Sequence, residues 1–102
     1  MKMYLISDNT DTLIGLRLAG INGEVTHSRD ETIHVIEKYI GEADCGIILI
    51  TSKLKSLCND YISEYMLKFS HPLFLEIPDR HSAGRPENSI KKFIEESIGL
   101  KL

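Results

Sequence analysis

The chain has 102 residues, 42% of them apolar and 26% charged, with 12 Lys and Arg against 15 Asp and Glu for a formal charge of −3. That size accommodates one domain (1–102) with a single modest core and leaves no room for a second. The cations are scattered apart from Lys91-Lys92, which argues against a nucleic-acid footprint, and the apolar run "IILI" (47–50) is far shorter than the ~20 residues of a membrane helix.

In chain order, the apolar run "MYLIS" (3–7) predicts a strand. "DTLIGLRLAGI" (11–21) predicts a short helix, but Leu13, Ile14, Leu16 and Leu18 spread over more than half its circumference, with Gly15 and Ala19 filling much of the rest and Arg17 set among the leucines. A helix that only covers a sheet needs one apolar face, so something other than the sheet meets this one. "EVTHS" (24–28), with Val25 as its one strong apolar residue, predicts an edge strand. Residues 31–40 carry Ile33, Ile36, Tyr39 and Ile40 at helical spacing, with Ser28 or Asp30 as N-cap and Gly41 at the end. "GIILIT" (46–51) predicts a strand buried on both faces. Residues 53–69 predict one continuous helix, because Leu54, Leu57, Cys58, Tyr61, Ile62, Tyr65, Met66 and Phe69 follow the i, i+3, i+4, i+7 rule over four turns. "LFLEI" (73–77) predicts a fourth strand. "DRHSAGRP" (79–86) is expected to be a mobile loop, since Ser82, Ala83 and Gly84 bury little. Residues 87–98, with Ile90, Phe93, Ile94 and Ile98 on one side, predict a last helix ending at Gly99 with a short tail to 102.

Four strand–helix pairs call for an α/β fold: a small three-layer sandwich with right-handed crossovers around a four-stranded parallel sheet. The flavodoxin/Rossmann-like order 2-1-3-4 puts the apolar strands 3–7 and 46–51 in the middle and the weak strand 24–28 at an edge. Crossover handedness then sets the first helix on one face and the second and third on the other, so the first helix shares its face only with the C-terminal helix.

Ligands of open α/β sheets bind beyond the C-terminal strand ends, which here are Ser7–Asp11, Thr51-Ser52 and Pro78–His81. Thr51 stands where a receiver domain needs a phosphoacceptor carboxylate, Asp8 and Asp11 are three apart rather than two, and no glycine-rich phosphate loop follows any strand. Asp8, Asn9, Thr10 and Asp11 therefore read as helix capping. His27, His34, His71 and His81 form no i, i+4 pair, and Cys45 and Cys58 fit neither a redox pair nor a zinc site, which leaves them as buried free thiols. No cofactor and no metal site are expected. "MKMYLIS" turns polar too soon for a secretory signal, so the expected compartment is the cytoplasm.

Several stretches together resemble one family. "DTLIGLRLAGI" is similar to the region after the first strand in the F subunits of V-type and archaeal A-type ATPases, where a polar loop leads into a helix ending in RLxG. "CGIILIT" (45–51) resembles that family's YGVIYIT-like strand, "LFLEIPDRHSAG" (73–84) its ILIP strand and glycine-containing loop, and "ENSIKKFIEESIG" its closing helix. The match spans essentially the whole chain. Strand 24–28 matches loosely, and the loop 79–86 only in having glycine.

The resemblance implies a non-catalytic, cytoplasmic component of the central stalk of a rotary ATPase, peripheral to the membrane. Such a component binds the long coiled-coil D subunit of the stalk and modulates ATP hydrolysis by the catalytic head, whose A and B subunits hold the nucleotide. The partner-binding residues expected on this basis are Leu16, Arg17, Arg80, His81, Arg85, Ile90, Phe93 and Ile94. The extra apolar faces of the first helix then meet either a partner chain or the C-terminal helix. The rival reading is a stand-alone flavodoxin-like enzyme or phosphotransfer domain with a pocket at Asp8, Asp11 and Thr51.

Overall fold

A computed structural model describes residues 2–78. The expectations for the loop 79–86 and the last helix, and with them Arg80, His81, Arg85, Ile90, Phe93 and Ile94, lie outside the described residues.

The strands β1 (Lys2–Ser7), β2 (Asn22–Val25), β3 (Cys45–Thr51) and β4 (Leu73–Ile77) form one parallel sheet in the order β2-β1-β3-β4, as expected. Leu5 pairs with Leu49, Ile6 with Ile50 and Ile48 with Phe74. Successive strand residues point to opposite faces, so the two central strands feed two cores. Leu5, Ile47, Leu49 and Ile77 face helix α1 (Thr10–Leu18) and meet Leu13, Leu16 and Ile21 there. Ile6, Ile48, Ile50 and Phe74 face the other side, against Val35, Ile36 and Tyr39 of α2 (Arg29–Ile40) and against Leu54, Cys58 and Ile62. Among the described helices α1 stands alone on its face, the distribution that right-handed crossovers dictate.

Three elements differ from the periodicity reading by more than two residues, each for an identifiable reason. The first helix stops at Leu18, not Ile21. Gly20 adopts φ +88°, its amide donates to Arg17 O (3.0 Å), and the Ile21 amide donates to Leu16 O (2.9 Å). This is a Schellman closure, in which buried Ile21 packs against Leu16 across the turn. The second strand runs over 22–25 rather than 24–28 because Ser28 is the N-cap of α2. Its hydroxyl accepts from the Glu31 amide (3.2 Å), while Glu31 Oε1 accepts from the His27 amide (3.0 Å). These bonds draw residues 27 and 28 out of the ladder.

The third difference is the largest. The helix expected over 53–69 is two helices, α3 (Ser52–Leu57) and α4 (Asn59–Lys68), broken at Cys58 with φ −119° and ψ 17°. The Leu57 carbonyl accepts instead from Arg29 Nη1 (2.7 Å), and the same guanidinium forms two bonds to the Asp60 carboxylate (2.8 and 3.2 Å). A long-range side chain entering the helical ladder is an ordinary cause of a sharp kink. It leaves no trace in local periodicity.

One pH dependence follows from the α2 side of the sheet. The Tyr39 ring stacks on Tyr4 with centroids 4.4 Å apart, and its hydroxyl donates to Glu24 Oε2 (3.5 Å). Burial first, and the Glu24 charge second, push the Tyr39 phenol above its ordinary value of 10.0. A group whose folded value is raised contributes fully below its unfolded value and loses that contribution as pH rises beyond it. Denaturant melts between pH 8 and 11.5 are therefore expected to show stability falling above pH 10, with a shallower fall in Tyr39→Phe. Equal slopes in the two proteins would contradict this account.

Candidate partner interface

At the C-terminal strand ends, the polar side chains are spent on one another. Ser7, fully buried, donates to Asn9 O (2.8 Å) and accepts from the Asn9 amide (3.0 Å). Thr51, also buried, donates to Asp8 Oδ1 (2.7 Å) and accepts from the Asp8 amide (3.3 Å). Asn9 is the N-cap of α1, accepting from the Thr12 amide at 2.7 Å, with Asp11 exposed in the first turn. The structure thus brings Asp8 and Thr51 together across β1 and β3, as a reciprocal hydrogen-bonded pair, and the capping role falls to Asn9. No group of three His, Cys, Asp or Glu side chains able to hold a metal occurs among the described residues. His27, His34 and His71 are exposed, Cys58 is buried and Cys45 half-buried. Burial raises both thiols above the ordinary cysteine value.

The outer face of α1 has a different character. Thr12, Leu13, Gly15 and Leu16 face inward. Ile14 and Leu18, one turn apart and therefore neighbours on the helix surface, remain 50% and 75% exposed. Arg17 is exposed beside them, in the last turn, where the helix dipole favours a cation. Next to this end of the helix lies a cleft of about 280 Å³ lined by Lys2, Met3, Tyr4, Gly20, Ile21 and Asn22.

Of the expected partner-binding residues within 2–78, Arg17 is at the surface and Leu16 is not. Leu16 is fully buried against the sheet and closes the turn at Gly20, so its side chain belongs to the core. Ile14 and Leu18, exposed beside Arg17, were not in the expected set, and the signal for their exposure was the breadth of the apolar arc. A second exposed apolar stretch lies at the end of α4, with Met66, Leu67 and Phe69. It was hidden in the sequence because Met66 and Phe69 sit on the helical stripe that reads as core.

A parallel α/β domain of flavodoxin-like order, with the described polar side chains at the ends of β1 and β3 bonded to one another and apolar residues on the outside of its first helix, is a scaffold that offers a surface. Its residues 3–94 match the family model described as ATP synthase (F/14-kDa) subunit. The chain belongs to that family. It is 29% identical over 109 residues to the F subunit of the A-type ATP synthase of Thermococcus sibiricus, covering 100% of this chain and 98% of the relative. To that of Methanococcus aeolicus it is 31% identical over 105 residues, covering 100% and 99%. To that of Methanocaldococcus jannaschii it is 27% identical over 103 residues, again covering 100% and 99%. Among the described residues no helix is long and apolar enough to cross a membrane.

Proposed function

We propose that this chain is a non-catalytic central-stalk component of a rotary, ion-translocating ATPase. It binds the coiled-coil D subunit of the stalk through the outer face of α1 and modulates ATP turnover by the head that the A and B subunits form, on the cytoplasmic side of the membrane. The observation that carries the reading is the exposed pair Ile14 and Leu18 with Arg17 beside them, on a helix whose inner face is already committed to the sheet. Two apolar side chains at i, i+4 spacing with a flanking cation suit docking against an amphipathic helix. On this reading Arg80, His81, Arg85, Ile90, Phe93 and Ile94 supply further contacts within the complex. Asp8 and Thr51 serve the fold, as the pair that ties the start of α1 to β3.

The test is co-purification of the tagged full chain with the coiled-coil stalk protein, with ATP hydrolysis by the assembled complex as a second readout. The double variant Arg17→Ala, Leu18→Ser is expected to keep its melting temperature to within a few degrees, since both side chains are exposed. It should lose most of its capture by the partner and most of its effect on hydrolysis. Capture equal to that of the unmodified chain removes the α1 face from the interface; failure of the unmodified chain to capture any coiled-coil stalk protein removes the stalk assignment itself.

A further inference from the structure

We propose that residues 59–72, helix α4 and the turn after it, open and close as a unit about a pivot at Cys58, and that the Arg29 clasp sets how often they open. The motion is a property of this chain alone, whichever partner it binds.

The first observation is how little of α4 is held by the core. Of its ten residues only Ile62 is buried, whereas α2 buries Thr32, Val35, Ile36 and Tyr39. Its other attachments are Tyr61 and Tyr65, half-buried at the rim of the core with the Tyr65 ring edge-on to Phe74 (5.8 Å), and the hydrogen bonds that their hydroxyls make at the surface. The Tyr61 hydroxyl donates to Glu37 Oε2 (3.1 Å) and the Tyr65 hydroxyl to His71 O (2.6 Å). Beyond Tyr65 the helix presents Met66 and Leu67 outward, and Phe69 packs on the Tyr65 ring (4.8 Å) rather than entering the core. Few buried apolar contacts and exposed hydrogen bonds mark the low-stability units of a fold.

The second observation is the form of the pivot. At Cys58 the backbone leaves the helical region, and its amide is shared between Leu54 O and Lys55 O at 3.2 Å each. The Leu57 carbonyl is turned out of the ladder and held by Arg29, which grips Asp60 on the far side of the break. One guanidinium on α2 therefore fixes both the last carbonyl of α3 and the first turn of α4. When α4 lifts, Cys58 and the sheet residue Phe74, both buried in the closed form, come within reach of solvent. Phe74 then opens on the side of the sheet where Tyr65 and Phe69 pack on each other.

Cys58 makes the opening measurable. In the full chain carrying Cys45→Ser, reaction of Cys58 with an aromatic disulfide reagent under native conditions is expected to proceed through the local opening, with a rate nearly independent of low denaturant. Arg29→Ala in that background is expected to raise the rate several-fold, with little change in the midpoint of global unfolding, and Arg29→Lys to fall between. Amide exchange in the unmodified chain gives an independent measure that does not require the Cys45 substitution. Amides of 62–68 should exchange far faster than those of 33–40. Labelling that follows global unfolding with its full denaturant dependence, a rate indifferent to Arg29→Ala, or equal protection in the two helices would each overturn the proposal.

Discussion

Replacing Gly23 by alanine is expected to destabilise the domain by about 1–3 kcal/mol, the usual cost of forcing extra volume into a packed site, and to lower its melting temperature by several degrees. Gly23 sits on the edge strand β2 directly opposite Leu5. A Cβ added there meets the Leu5 carbonyl oxygen and lies 2.7 Å from Leu5 Cβ. The obstacles are backbone and the root of a fully buried side chain, not the end of a flexible one, so the two strands must separate. Separation weakens the β1–β2 ladder and disturbs Leu5, which anchors the core under α1. Gly41→Ala is the matched control. It has φ −73° at the end of α2, and the nearest atom to an added Cβ is Lys38 O at 3.4 Å. There alanine is expected to be neutral or slightly stabilising, because it narrows the unfolded ensemble without strain. Thermal melts of the two variants decide the matter; a Gly23→Ala protein melting with the unmodified chain would show that β2 is not held against β1 as described.

The second large effect separates the two faces of α1. Leu16→Ala removes a fully buried side chain that packs with Leu5, Leu13, Ile21 and Leu49, and it is expected to cost about 2–5 kcal/mol, the usual range for a leucine cavity that collapses only in part. The same substitution at Leu18, 75% exposed, should leave stability within about 0.5 kcal/mol. Chemical denaturation measures both. Partner capture corrected for the folded fraction should reverse the ranking, with Leu16→Ala unchanged and Leu18→Ala weakened. If Leu16→Ala is the variant that loses capture per folded molecule, the core assignment of Leu16 does not describe the bound state.

Much of this arrangement is legible in the residues themselves. The uninterrupted apolar runs of β1, β3 and β4 mark strands covered on both faces, and their alternation with helical patterns leads to a parallel sheet in the order 2-1-3-4. The family is legible too, in the stretch Arg17-Leu18-Ala19-Gly20 above all. Gly20 is the one described residue with positive φ, and that conformation, which a side chain strains, is what ends α1. The breadth of apolar residues around α1 likewise shows, without coordinates, that its apolar residues exceed what one face against the sheet can bury, and Ile14 and Leu18 are the excess.

What sequence spacing does not carry is the phase and continuity of each helix against its surroundings. Leu16 and Leu18 are the same residue two positions apart. Only the Gly20 closure and the packing of Ile21 under Leu16 turn the first into the core and leave the second in solvent. The stripe over 53–69 is an unbroken helical pattern in one dimension. In three dimensions Arg29, 28 residues before Leu57, takes the Leu57 carbonyl and breaks the helix at Cys58. Met66 and Phe69 stay uncovered even though their spacing reads as core. Periodicity records which side chains lie on one side of a local helix. Whether anything stands on that side is decided by contacts between residues distant in the chain, and those exist only once the sheet has assembled.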